Sequence, residues 1–374
     1  MSHIVLEEVT NLEILKFAYK AHSESWSGLL SSEQYIDREL QLRSQSKQLQ
    51  TDTSPYGLFL YILRDLQIPS ENETDNIVTT GEVLIRKSWR IDGDDVENLK
   101  IVNSGVIGNV FTLKNHRGKG YATQLFHKLN ELLDEKLGKD GYSFLYSEVG
   151  TYYEKFGFKN FNIKTHTISI KDYKIDDEHL SNTEPLKLHK YKDLINYQKD
   201  KLEKSFLQKA KTLPKDESII SLIPNVDIYD WINEKDQLIS TKLFPNSKVD
   251  NYGILDLKTK NHFIWLHDFS SKKLYIIKSF INEESNDIES LKNLVYGTIK
   301  EAQLYGIEKI HFWDTSIGQT LKYHDLIIEW FKTEFNDSNI SLFEEIDSIP
   351  AIRMNDGKSG LKIHWENNEK WSWY

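Results

Sequence analysis

HRGKGYATQLFHKL, His116 to Leu129, sets three small residues, Gly118, Gly120 and Ala122, among Arg117, Lys119 and Tyr121. Behind them Leu125, Phe126, Leu129, Leu132 and Leu133 recur at helical spacing, so the glycines stand where a helix begins. Backbone without side chains admits close approach of a ligand, and the first N–H groups of a helix have no intrahelical acceptor. Together with the helix dipole they attract anions, phosphate above all. The amides from Arg117 to Thr123 therefore read as a diphosphate cradle, with Arg117 and Lys119 adding positive charge. A nucleotide-triphosphate loop would read G-x-x-x-x-G-K-[ST]; here Gly118-Lys119 is followed by Gly120, with no hydroxyl for magnesium. A dinucleotide fingerprint would need a third glycine after the first strand of a βαβ unit. What remains is Arg117-x-x-Gly120-x-Ala122. A tight strand-to-helix turn uses the same glycines, so a second signal has to decide.

Around this stretch the chain is ordinary globular material. Its 374 residues suggest two domains or one large one, and with 39% hydrophobic and 28% charged the chain can build cores. A net charge of −10 argues against nucleic-acid binding, which draws its affinity from Lys and Arg on phosphates, and suits a cationic small substrate. The absence of cysteine excludes disulfides, thiolate catalysis and cysteine-ligated zinc. No secretory signal opens MSHIVLEEVT, and no apolar run reaches the ~18 residues of a membrane helix. The expected setting is the cytoplasm, with nuclear entry left open, and no membrane partner.

Periodicity orders the rest. Thr10 with Glu13 reads as a capping box before a helix, and a second helix starts near Ser32. Strands are expected at 56–65, 77–91 and 100–113, a helix after Gly120, a strand at 142–149, a helical turn ended by Gly157, and a last strand of this half within 158–170. The highly charged stretch 171–193 reads as a connector, followed by a Lys- and Leu-rich helix to about Thr212. Three strands (251–260, 262–269, 273–281), a helix with Gly306 at its C-cap, a strand at 307–314 and a helix at 321–335 follow; 340–346 and 361–366 would close that sheet. The division is 1–170, a connector over 171–212, and 213–374, the second part repeating the rhythm of the first.

The deciding signal is Tyr152-Tyr153-Glu154-Lys155-Phe156-Gly157-Phe158, after the next strand. With Arg117-x-x-Gly120-x-Ala122 it resembles the Q/R-x-x-G-x-G/A loop and the YEKLGF element of the GCN5-related N-acetyltransferase (GNAT) superfamily. The blocks Ser25–Leu42, Ser104–Ala122, Phe144–Phe158 and Asn368–Tyr374 resemble, more narrowly, the fungal lysine N6-acetyltransferases. The resemblance implies an α/β (α+β) fold with a mixed, mostly antiparallel sheet, and a second α/β domain of GNAT-like architecture. It implies acetyl-coenzyme A as co-substrate and the N6-amine of free L-lysine as acceptor, in lysine degradation. Protein or histone lysine acetylation and a non-catalytic coenzyme-binding module stand as rival readings.

An amine with a pKa near 10.4 must lose a proton before it attacks a thioester, and the leaving thiolate must gain one. The resemblance places Val110, Phe111 and Thr112 along the pantetheine arm, a backbone N–H near Val110 or Phe111 on the thioester carbonyl, and Arg117, Gly118, Lys119, Gly120, Tyr121, Ala122 and Thr123 around the phosphates. Tyr153 is the candidate general acid, with Tyr152 its competitor. Glu148 is the candidate base and Glu82 the alternative. Trp26, Tyr35 and Glu39 are candidate walls of the acceptor site, with Glu82 counted among the substrate-binding residues. His116 and His127 lack the spacing of a zinc site, and no metal is expected. Trp371 and Trp373 at the end of the chain imply a packed tail, expected to fold back toward the domain interface. The acidic SFINEESNDIESLKN, without glycine, offers phosphates no counterpart of the cradle, so one coenzyme per chain is expected.

Overall fold

A computed structural model describes residues 3–50, 56–175, 180, 182–246, 248–282, 288–317, 321–355, 357 and 361–373. The chain divides into two units, each drawn from three stretches: Met1–Phe161, Leu202–Ile223 and Ser348–Glu366 form the first, and Asn162–Lys201, Pro224–Asp347 and Asn367–Tyr374 the second. This interleaving replaces the contiguous division at 170 and 212.

In chain order the first stretch gives β1 (Ile4–Glu8), α1 (Leu12–Trp26), α2 (Ser32–Gln45), β2 (Gly57–Asp65), β3 (Ile77–Asp92), β4 (Lys100–Thr112), α3 (Tyr121–Leu137), β5 (Tyr142–Ser147) and the two-residue β6 (Lys159–Asn160). There follow β7 (Lys164–Ser169), β8 (Thr183–Lys187), α4 (Lys192–Ala210), β9 (Glu217–Leu222), α5 (Val226–Leu243), β10 (Asn251–Asp256), β11 (His262–Asp268), β12 (Lys273–Phe280), α6 (Ile288–Leu304) and β13 (Lys309–Trp313). The chain ends with α7 (Leu321–Glu334), β14 (Ile340–Glu345), β15 (Ile349–Met354) and β16 (Lys362–Glu366). The helix starts follow local capping. Asn11, not Thr10, caps α1, its side chain accepting from the amides of Glu13 and Ile14; Ser31 and Gln34 form a capping box on α2.

The first sheet runs β1-β2-β3-β4-β5-β15-β6, with β9 and β16 continuing along the far half of β3. It is mostly antiparallel, with β4–β5 and β9–β16 parallel. Both faces are covered, which explains the unbroken apolar run of β2. Phe59 and Tyr61 pack with Phe126, Leu129 and Leu133 of α3. Leu60 and Ile62 pack with Ile14, Tyr19 and Tyr35 of α1 and α2.

The second sheet runs β14-β7-β13-β12-β11-β10-β8, with β12–β13 its parallel pair. Its core joins Ile168, Phe263, Trp265 and Ile310 to Leu294 and Ile299 of α6 and to Ile327 and Phe331 of α7. Two strand assignments therefore change from those read in the sequence. β7, expected to close the first sheet, pairs with β13 and β14 in the second. The flank of β5 is taken instead by β15, matched over six residues from Ile349 opposite Ser147 to Met354 opposite Tyr142. Likewise β16 joins β9 in the first sheet. The tail packs as its tryptophans suggested: Trp371 is fully buried and stacks on Tyr229, ring centroids 5.6 Å apart, within the second unit.

Candidate coenzyme and acceptor site

The site builds up from the end of β4. Opposite the single residue Gly81 of β3, β4 carries two, Asn109 and Val110, so the ladder is broken by a bulge. Asn109 takes the left-handed conformation (φ 48°) and donates from Nδ2 to Oε2 of the buried Glu82 at 2.6 Å. Just before the bulge, β4 and β5 stop pairing. Their parallel register ends at Ile107 opposite Leu145, while β4 runs on to Thr112 and β5 to Ser147. A wedge opens between them, where β4 runs on without pairing to β5.

The opening stretch floors this wedge. After a short turn at Lys114–His116, Gly118 (φ 75°) and Gly120 (φ 81°) take conformations that side chains disfavour, and Gly120 ends the loop where α3 begins. A Cβ added to either glycine would meet no protein atom within 4 Å, so the space beside both is open. No side chain caps the helix, and its first internal bond is Gln124 N to Gly120 O at 3.1 Å. The amides of Tyr121, Ala122 and Thr123 thus stand ahead of the helical ladder. Arg117 and Lys119 are exposed beside them; Arg117 donates from Nε to the Thr112 carbonyl at 3.0 Å, its guanidinium 5.2 Å from the Phe111 ring centroid. This arrangement has the features of a diphosphate cradle. Tyr121 contributes only its amide: its side chain turns inward and donates to Asp65 at 2.6 Å, which holds that carboxyl below the usual range. Thr112 lies 3.1 Å from Thr79, hydroxyl to hydroxyl.

On the β5 side, Glu148 is exposed just past the strand. Tyr153 stands in the turn Tyr152–Phe156, its ring 4.7 Å from that of Phe126. Burial, then the neighbouring Tyr152 and Glu148, push its hydroxyl up to about 12, so it keeps its proton. Tyr152 is its orthogonal neighbour, and its hydroxyl sits 3.4 Å from that of Thr123 in the first turn of α3.

On the opposite face, α1 and α2 bring the remaining candidates together. Trp26 meets Phe111 edge-to-face at 6.1 Å and His22 at 5.6 Å. Glu39 accepts from Arg38 Nε at 2.9 Å, and the Arg38 guanidinium lies 4.4 Å over Tyr35. The fields of Glu39 and Glu82 both act on Tyr19 and Tyr35: burial first and these carboxylates second hold both phenols well above their ordinary range. Two carboxylates and two tyrosines therefore share one buried neighbourhood beside the bulge. The sequence reading passed over Tyr19 and His22, and named Asn109 only for its backbone, in the strand expected along the pantetheine arm. Tyr19, His22 and Trp26 stand at i, i+3 and i+7 on α1, a helical stripe that could have pointed to the first two.

Comparison with known proteins identifies the family of both parts of the chain. The domain described as LYC1 GNAT-like C-terminal domain matches residues 167–374, and the domain described as Acetyltransferase (GNAT) domain matches residues 72–160. The chain belongs to the GNAT superfamily and carries the LYC1-like C-terminal GNAT domain. The fold so defined implies an acyl-coenzyme A co-substrate. The uncharacterized protein YGR111W of Saccharomyces cerevisiae is 28% identical over 399 residues, covering 99% of this chain and 98% of its own. Among solved structures, a probable N-acyltransferase from Enterococcus faecalis matches at a TM-score of 0.54, with 12% identity, over 96% of this chain and 74% of its own. A GCN5-related N-acetyltransferase from Kribbella flavida matches at 0.52, with 10% identity, over 95% and 73%. At such identities these two likenesses speak for the fold alone. Among the described residues no helix is long and apolar enough to cross a membrane.

Proposed function

We propose that the chain moves an acetyl group from acetyl-coenzyme A directly to an amine, and that the acceptor is the N6-amine of free L-lysine. The observation that carries this is the side-by-side placement, at the end of β4, of an open glycine turn and the buried carboxylate Glu82, fixed by Asn109. The first suits a diphosphate; the second, with Glu39 and the tyrosines, suits a cation.

When bound, the coenzyme supplies the acetyl group as a reactive thioester. The amides of Gly118 to Thr123, with Arg117 and Lys119, hold its diphosphate. A main-chain N–H near Val110 or Phe111, beside the bulge, would polarise the thioester carbonyl. Tyr153, protonated throughout the working range, gives its proton to the departing sulfur. Glu39 and Glu82 draw in the ammonium, and a carboxylate, Glu148 or Glu82, takes its proton. Trp26 and Phe111 close the apolar side of the acceptor site. The resemblance to lysine N6-acetyltransferases supports lysine among amines. The test is release of free thiol from acetyl-coenzyme A with L-lysine and with lysine-containing peptides as acceptors. Turnover with L-lysine exceeding that with peptides supports the reading; thiol release with peptides alone, or none at all, overturns it.

A further inference from the structure

His22 is a buried polar side chain of this neighbourhood that neither the sequence reading nor the mechanism uses. It lies on α1, fully buried, with its ring between those of Trp26 at 5.6 Å and Phe111 at 6.3 Å and against Tyr19 at 6.1 Å. Its Nε2 is 2.8 Å from Thr80 Oγ1. Its Nδ1 is also buried and has no hydrogen-bond partner among the described residues. A buried nitrogen left without a partner costs stability, and such groups are rare enough to need a reason.

We propose that His22 determines specificity in the acceptor site, its Nδ1 accepting a hydrogen bond from the primary ammonium of the substrate beside the carboxylates of Glu39 and Glu82. This deepens the amine-acetylation reading and rests on it. Thr80 Oγ1 also lies 3.5 Å from the Phe111 carbonyl. With the hydroxyl proton given to that carbonyl, Oγ1 accepts from Nε2–H and leaves a lone pair on Nδ1. Burial, against the pull of Glu39, lowers the imidazole to about 4, so it stays neutral. A base that weak does not deprotonate an ammonium; it serves as a fixed acceptor. A primary ammonium has three donors, which Glu39, Glu82 and His22 match in number, and the tyrosine rings supply apolar walls. A secondary amine would leave one of these acceptors unmet and a tertiary amine two.

Asparagine and glutamine separate the two ring nitrogens. His22→Asn keeps a polar atom at the place of Nδ1 and loses the contact to Thr80; His22→Gln does the reverse. KM for L-lysine and KM for acetyl-coenzyme A are measured for both, alongside the melting temperature. The expected result is a roughly tenfold or larger rise in KM for lysine in His22→Gln, a rise of no more than about threefold in His22→Asn, and unchanged KM for the coenzyme. The reverse ranking, or equal values, means that His22 only braces Thr80 and overturns the proposal. A wild-type protein that binds coenzyme yet acetylates no amine overturns both this proposal and the function it rests on. Should His22→Gln not fold, the histidine ¹⁵N spectrum of the wild-type protein decides: added lysine must move one Nδ1 resonance, and none moving overturns the proposal.

Discussion

The two units open the same wedge and finish it differently. In the first, β4 and β5 part beyond Ile107 and Leu145; in the second, β12 and β13 part beyond Tyr275 and His311. Both carry a bulge at the parting. On β4 it is Asn109 and Val110 opposite Gly81; on β12, Ile277 is inserted between Ile276 and Lys278, whose partners Trp265 and Ile264 are adjacent. Beyond the bulge the likeness ends. The first wedge leads to bare glycines and an uncapped helix start. The second is filled by the protein itself. Lys278 pairs with Glu369 from the end of the chain, both side chains almost fully buried, and the Ser279 amide donates to the same carboxylate at 3.1 Å. Ile276, Phe312, Leu291 and Ile327 line what space remains. In the second unit a main-chain amide past the bulge thus meets an internal carboxylate. The acidic residues 283–287, which follow β12, lie outside the described residues. The two units thus share a parted parallel pair with a bulge and differ in the side chains that lie beyond it.

The contrast can be broken at several points. The largest effect is expected at the filled wedge. Lys278→Met leaves Glu369 buried without its partner and should cost about 3–5 kcal/mol of stability in chemical denaturation, with coenzyme affinity unchanged. The double variant Lys278→Met/Glu369→Leu should recover much of that loss, because the desolvated charges go together. A second coenzyme bound by the double variant would show that the pair alone kept the second wedge shut.

Next comes the open wedge. Gly120→Val forces a branched side chain into φ 81° and into the cradle, and should weaken acetyl-coenzyme A binding roughly 10³-fold, about 4 kcal/mol. Its control is Gly306→Val in the second unit, also left-handed at φ 65°. That change should lower the melting temperature and leave the coenzyme isotherm as it was. Tyr153→Phe should reduce kcat about 10²-fold with little change in coenzyme affinity. Because the hydroxyl titrates at about 12, wild-type kcat should show no alkaline fall from this group below about pH 11.

The smallest effect is a pH dependence in the second unit. Burial opposes the charge of His267, but Asp236 at 2.7 Å and Glu301 at 3.3 Å carry its pKa up to about 9. A raised histidine stabilises the fold fully below its unfolded pKa near 6.5 and loses that contribution as pH rises through about 9. Thermal unfolding should therefore weaken by roughly 2 kcal/mol across that interval. His267→Gln should flatten the slope.

What could be read from the sequence was what is local. Gly118, Gly120 and the run Tyr152 to Phe158 lie within single turns, and their conformations follow from residue type. The amphipathic spacing of α3 gave its buried face, and the terminal tryptophans announced a packed tail. Pairing over long distances was not legible. Lys164–Ser169 was legible as a strand and Ile349–Met354 was not, and nothing local says that the one joins the second sheet while the other completes the first. The same holds for the acceptor neighbourhood. Glu39 and Glu82 stood out by charge, but Tyr19 and His22 acquire meaning only when α1 is laid over the β4 bulge. Tyr121 shows the converse: its place in the loop suggested a ligand, and Asp65, 56 residues away, claims its hydroxyl.

Calorimetric titration of the intact chain with acetyl-coenzyme A tests the central claim most directly. One molecule should bind per chain, and Gly120→Val should weaken that binding roughly 10³-fold. Two molecules per chain, or one whose affinity persists in Gly120→Val, would mean that the glycine turn after β4 is not the phosphate cradle.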